Sequence, residues 1–256
     1  ELSGFTITNG NSENGGGIHC HTASPKLTGL IISENSANSG GGVYIYYSAD
    51  PSFTDVTISG NTASSGGGIY CVTASPELTG LIISDNTADT HGGGVYIYDY
   101  ADPTFTNVTI SGNVADVEGG GIWTNRNSSP SFTNVTISNN EASVAGGIMI
   151  RDNSDPTLTN VTISNNVADN TGGGIMILLS SSPTFSNLTV SNNEASYGAG
   201  VFIESNNSDP IFTDVTISGN AADNNGGGIY LYMECEPVFT NLKLLNNTAD
   251  YGGGIY

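Results

Sequence analysis

The sequence predicts an all-β solenoid wound into about ten short coils, and three observations predict it. The first is a proline that returns at Pro25, Pro51, Pro76, Pro103, Pro130, Pro156, Pro183, Pro210 and Pro237, in steps of 25 to 27 residues. The second is an asparagine ten residues after each of them: Asn35, Asn61, Asn86, Asn113, Asn140, Asn166, Asn193, Asn220 and Asn247. The third is alternation. Apolar residues stand two, five and seven positions after the proline, as at Phe132, Val135 and Ile137, and again after a glycine run, as at Ile148 and Ile150. Period two marks strands with one buried face, and no segment carries a helical period. Runs this short cannot enclose a core alone. Stacked copies can, because each apolar position then lies over its own copy at the ~4.8 Å spacing of paired strands.

Each corner of the coil has its own residues. Four positions after the proline stand Gly29, Asp55, Gly80, Asn107, Asn134, Asn160, Asn187, Asp214 and Asn241, types that tolerate a left-handed backbone and so form a bend. A second bend falls at Gly60-Asn61, Gly112-Asn113 and Asn139-Asn140. Its repeated asparagine is expected to point inward, hold the turn, and bond the coils above and below as a ladder. The third corner is the Gly-Gly-Gly run. Three corners and three faces predict a triangular coil, right-handed by the usual rule for parallel crossovers. Residues 1–256 read as one domain, a rod of roughly 45 Å. With strand edges at both ends, the rod is expected to be a slice of a longer array.

The pattern I-S-x-N-x-A followed by G-G-G-I-Y, with its asparagine ladder, resembles the right-handed parallel β-helix repeats of the pectate-lyase-like superfamily. Within it, the repeats are similar to those of bacterial polymorphic outer-membrane proteins and other adhesin-like secreted β-helices. The resemblance covers essentially the whole chain. It implies a single-stranded right-handed parallel β-helix that is extracellular or on the cell surface, as a non-catalytic adhesin-like module or stalk. The same superfamily holds polysaccharide lyases and glycoside hydrolases, which use Arg or Lys beside clustered carboxylates. An enzyme acting on acidic glycans is therefore the alternative, although no catalytic residue stands out here.

Four basic residues against 24 acidic ones give a net charge of −20, which argues against nucleic acid and anionic membranes as partners. No apolar run is long enough to insert in a membrane. Asp89, Asp116, Glu141, Asp169, Glu194, Asp223 and Asp250 place one carboxylate per coil along one edge. Ca²⁺ would relieve their repulsion, and a solvated acidic edge is the simpler expectation; no other cofactor is implied. Cys20 and Cys71 share an inward column with Ile45 between them, two coils apart and too distant to bridge. His19 and His21 lack a third ligand, so no metal site is expected.

Two outward faces remain as candidates. After the glycines runs a stripe of Tyr44, Tyr70, Tyr96, Trp123, Met149, Met176, Phe202, Tyr230 and Tyr256, with Tyr46, Tyr98 and Tyr232 two residues further on. An exposed aromatic row is expected to contact a glycan, a protein surface or neighbouring copies of the chain. Arg126 and Arg151 fall on adjacent coils just past it, near Asp152 and Asp155, as an anion or uronate subsite or a surface ion pair. The second face is Thr-x-Ser, running Thr109/Ser111, Thr136/Ser138, Thr162/Ser164, Thr189/Ser191 and Thr216/Ser218. Its regular hydroxyls resemble the faces of β-helical ice-binding proteins.

Overall fold

A computed structural model describes residues 1–204 and 207–256. Every described strand pairs in parallel with its counterpart one coil away, and three sheets run the length of the rod. Sheet A has sixteen strands, and sheets B and C have nine each. Among the described residues nine coils contribute strands to all three sheets, and a tenth is joined in sheets B and C only by the bridges Ala221–Thr248, Asn225–Tyr251 and Ile229–Ile255. The chain visits sheet A, then B, then C in each turn.

The bend four residues after the proline is left-handed, as expected: Asp55, Asn107, Asn134 and Asn160 have φ between 53° and 56°. It kinks sheet A without dividing it. In the earlier coils it separates two short strands, such as Ser131–Thr133 and Thr136–Ser138, and from Thr157–Ser164 onward one eight-residue strand runs through it. The outward amides here form a second ladder, with Asn134 Nδ2 donating to Asn107 Oδ1 at 3.0 Å and Asn187 Nδ2 to Asn160 Oδ1 at 2.8 Å.

The inner asparagine ladder is complete from Asn35 to Asn247. Asn140 Nδ2 donates back to the Ile110 carbonyl at 3.2 Å and forward to Asn166 Oδ1 at 2.9 Å. Its own Oδ1 accepts both the backbone N–H and the side-chain amide of Asn113. One expectation needs correction. The strained residue of this corner is the one before the ladder: Asn139, Asn165 and Asn192 have φ near 56°, and Gly60, Gly112 and Gly219 share their column. The ladder asparagine is placed by its hydrogen bonds and leaves the left-handed turn to its neighbour.

Between the ladder and the glycines lies a strand that the apolar pattern does not reveal. Sheet B is built from segments such as Thr62–Ser65 and Glu141–Val144, whose one inward side chain is an alanine that is buried in each coil from Ala63 to Ala222. It also absorbs part of the variation in coil length. Thr87–His91 and Val114–Glu118 have five residues where their neighbours have four, and the register shifts there.

The coil is closed by a loop before the proline. Ser128, Ser154, Ser181 and Ser208 are buried and form a third ladder, each hydroxyl accepting the backbone N–H of the preceding coil at 3.1–3.2 Å. In the column beside them, which begins at Asp102 after Ala101, the residues alternate: Asp102, Ser129, Asp155, Ser182 and Asp209. Serine between aspartates keeps the carboxylates two coils apart, about twice the ~4.8 Å strand spacing, which relieves like-charge stacking.

The interior is one continuous cluster with Phe53, Phe105, Phe132, Phe185 and Phe212 among its largest members. Cys20, Ile45 and Cys71 are aligned in sheet C, so the two thiols are held apart as the sequence indicates. Burial pushes the Cys20 thiol up to about 11, and raises that of Cys71 further.

Candidate functional site

Sheet C presents its outward face between the end of sheet B and the loop before the proline. The stripe is aligned as expected, with Tyr44, Tyr70, Tyr96, Trp123 and Met149 in successive register. Its exposure is not what the alternation predicts. Trp123 is 4% exposed and Met149 0%, and Tyr96, Met176 and Phe202 are buried with them in a second apolar cluster. Tyr44, Tyr70 and Tyr230 are half-buried. The rings also stack on one another: Tyr70 on Tyr96 at 4.3 Å, Tyr96 on Trp123 at 4.5 Å, and Phe202 on Tyr230 at 4.8 Å. Rings stacked in this way leave only their outward edges for a ligand, and in the middle of the stripe those edges are buried too, so that part is a ladder of the fold and not an open platform.

What covers it is the last residue of each sheet B strand. That column reads Asn14, Ser39, Ser65, His91, Glu118, Val144, Thr171 and Tyr197 along the rod. From His91 on, the column reaches over the stripe. The His91 ring lies 5.0 Å from Trp123, Val144 packs in the same cluster, Thr171 Oγ1 meets Met176 Sδ at 3.4 Å, and Tyr197 lies edge-on to Tyr230. Over the first three coils the column is small and polar. There His19, Tyr44 and Tyr70 form the floor of a trough, flanked by His21, Tyr46 and Tyr47, the last 59% exposed.

Glu118 is the hub of the roofed part. Its Oε2 accepts the Trp123 indole N–H at 2.9 Å and a guanidinium N–H of Arg151 at 3.1 Å, and His91 Nε2 lies 3.6 Å away. Burial lowers the His91 pKa, the Glu118 carboxylate opposes that, and Arg151 adds to it. Arg151 therefore pairs across the groove with Glu118, and not with Asp152 or Asp155. Arg126 is exposed and stands 5.1 Å over the Tyr98 ring, a cation–π contact. Sequence reading missed Glu118 and His91 because both sit on a strand without apolar alternation. Their departure from Ser65 and Ser39 in the same column is the signal that would have found them.

The loop edge carries most of the chain's irregularity. Tyr47-Ser48, Asp99-Tyr100, Arg126-Asn127, Asp152-Asn153 and Leu179-Ser180 each place two consecutive residues at positive φ. Such tandem strain turns these side chains outward, and Tyr100 is 65% exposed.

On sheet A the predicted hydroxyl columns are straight: Thr109, Thr136, Thr162, Thr189 and Thr216 align coil to coil, as do Ser111, Ser138, Ser164, Ser191 and Ser218. A further column was not anticipated. Thr54, Thr79, Thr106, Thr133, Thr159, Ser186 and Thr213 align on the other side of the kink. The acidic residues from Asp89 to Asp250 are exposed but do not form one column, since Glu141 and Glu194 stand in register with Val114, Val167 and Ala221; among the described residues no three His, Cys, Asp or Glu side chains gather as a metal site.

Parallel sheets, a buried amide ladder and a core shared by all coils define a β-helix. The chain matches the family described as right handed beta helix region over residues 1–115 and 67–249, and it belongs to that family. No curated protein and no solved structure matches it.

Proposed function

We propose that the chain is a non-catalytic β-helix of an extracellular or cell-surface protein that binds a saccharide chain in the open trough of its first three coils. The observation that carries this is the change in the roof. Asn14, Ser39 and Ser65 leave Tyr44 and Tyr70 half-open, and Tyr46, Tyr47, His19 and His21 crowd around them. Tyr44 and Tyr70 stack on each other at 5.3 Å and offer ring edges and hydroxyls to sugar oxygens, while the exposed Tyr47 offers ring surface to sugar C–H groups. A net charge of −20 favours a neutral saccharide over a polyanion. The non-catalytic part of the reading is supported by Arg151, whose guanidinium is occupied by Glu118. Titration calorimetry against neutral and uronate polysaccharides tests it. Tyr44→Ala and Tyr47→Ala should each weaken binding about tenfold, a loss of about 1.4 kcal/mol. Binding indifferent to both, or polysaccharide turnover abolished by Arg151→Ala, would remove this reading.

One observation favours a second reading for sheet A. Its hydroxyl columns keep register without a bulge, whereas sheet B shifts repeatedly, and a periodic array suits a periodic surface such as ice. Thermal hysteresis should then be present in the wild type and lost in Thr162→Tyr, which puts bulk in the middle of the array. A wild type without hysteresis at about millimolar concentration, where weak surface binding is still populated, excludes it.

A further inference from the structure

The open trough ends where Glu118 reaches across it. We propose that the Glu118–Arg151 pair is a strap that shuts the groove over Trp123 and Met149, and that its release lengthens the accessible floor from Tyr44 and Tyr70 to Trp123. The ligand-binding part of this rests on the trough being the binding face.

Four features support a strap. Its two ends belong to different sheets: Glu118 closes the sheet B strand Val114–Glu118, and Arg151 follows the sheet C strand Ile148–Ile150, so the link spans the groove. Among the described residues every ion pair converges on Glu118, and the roof further along rests on the neutral contacts of Val144 and Thr171. The closed state is also incompletely satisfied. Arg151 Nε is buried with no hydrogen-bond partner, and an unmet donor favours any arrangement in which it reaches water or an acceptor. Such an arrangement is at hand. On its other side Arg151 lines a cavity of about 500 Å³ that Asp152 and Glu204 also line, so the guanidinium has room and an acidic wall to turn toward. Loss of the pair would leave the Trp123 indole N–H with a free carboxylate or with water, and the ring with one cover fewer.

Trp123 is the only tryptophan in the chain, so its fluorescence reports this position alone. Acrylamide quenching would be measured without ligand for the wild type, Glu118→Ala, Glu118→Gln and Arg151→Ala, with circular dichroism and melting to confirm that each is folded. The expected result is a quenching constant raised by about twofold or more in the folded variants, and in the wild type at about 1 M salt a smaller rise. If Glu118→Ala does not fold, Glu118→Gln and Arg151→Ala decide in the same way. Folded variants in which Trp123 stays as protected as in the wild type would overturn the strap. A saccharide that binds the wild type should bind Glu118→Ala several-fold more tightly. Equal affinity with an exposed Trp123 would show that the strap opens onto no binding surface. Exposed Trp123 with no saccharide bound by either protein would sink the trough reading and leave the strap standing.

Discussion

Replacing Asn140 with leucine is expected to destabilise the rod by on the order of 4 kcal/mol, as measured by denaturant unfolding. The side chain makes four hydrogen bonds, two accepted from Asn113 and two donated to Ile110 and Asn166, all in a fully buried corner. Leucine leaves two donors on Asn113 without partners, takes the amide from the Ile110 carbonyl, and leaves Asn166 Oδ1 with only the backbone N–H of residue 140, and each unmet buried group costs about 1–3 kcal/mol before relaxation. The residue beside it gives the control. Asn139 is exposed and left-handed, in a column where Gly60, Gly112 and Gly219 also stand, so Asn139→Gly should change stability by less than about 0.5 kcal/mol. Position along the stack matters as well. Asn247 is only partly buried in the tenth coil, and Asn247→Leu should fray one end, whereas a break at Asn140 uncouples the two halves of a nearest-neighbour array. Equal losses at all three sites would show that the ladder does not hold the coils together.

Phe132→Ala should cost about 3–5 kcal/mol, the range for truncating a buried aromatic ring. Phe132 is fully buried, stacked on Phe105 at 4.7 Å on one side and aligned with Leu158 on the other. The same column holds Leu27 and Leu78, so the site is shaped for either residue, and Phe132→Leu should cost only about 1 kcal/mol. A comparison of the two melting curves checks this. Similar losses would mean that the column packs as a rigid aromatic stack and not as an adaptable apolar core.

Much of this architecture was legible because a solenoid repeats its instructions. Phe132, Val135 and Ile137 alternate, and each recurs one coil later, so the buried face is stated nine times over. The asparagine column at Asn140 could be placed inward because a polar residue that returns ten positions after every proline, at an otherwise plain bend, needs partners of its own kind. The sheet B strand was hidden for the opposite reason. Its inward residue is a single alanine, as at Ala142, and one small side chain gives no period to detect. The serine ladder from Ser128 to Ser208 escaped notice because serine before proline is ordinary in any loop. The alternation of aspartate and serine beside it is the clue that was available.

The sequence by itself determined the coil, its corners, the parallel register and the separation of Cys20 from Cys71, because strand alternation and turn chemistry act within a few residues and are then copied by stacking. Only the tertiary structure decided which outward residues meet solvent. Alternation says that Trp123 points away from the main core, and it does, but exposure depends on what lies above the ring. That is set by how far the end of sheet B leans over sheet C, by the extra residue that carries His91 and Glu118 into position, and by an ion pair from Glu118 to Arg151 across 33 residues of chain. A local pattern cannot encode a contact between two sheets that meet only when the coil closes.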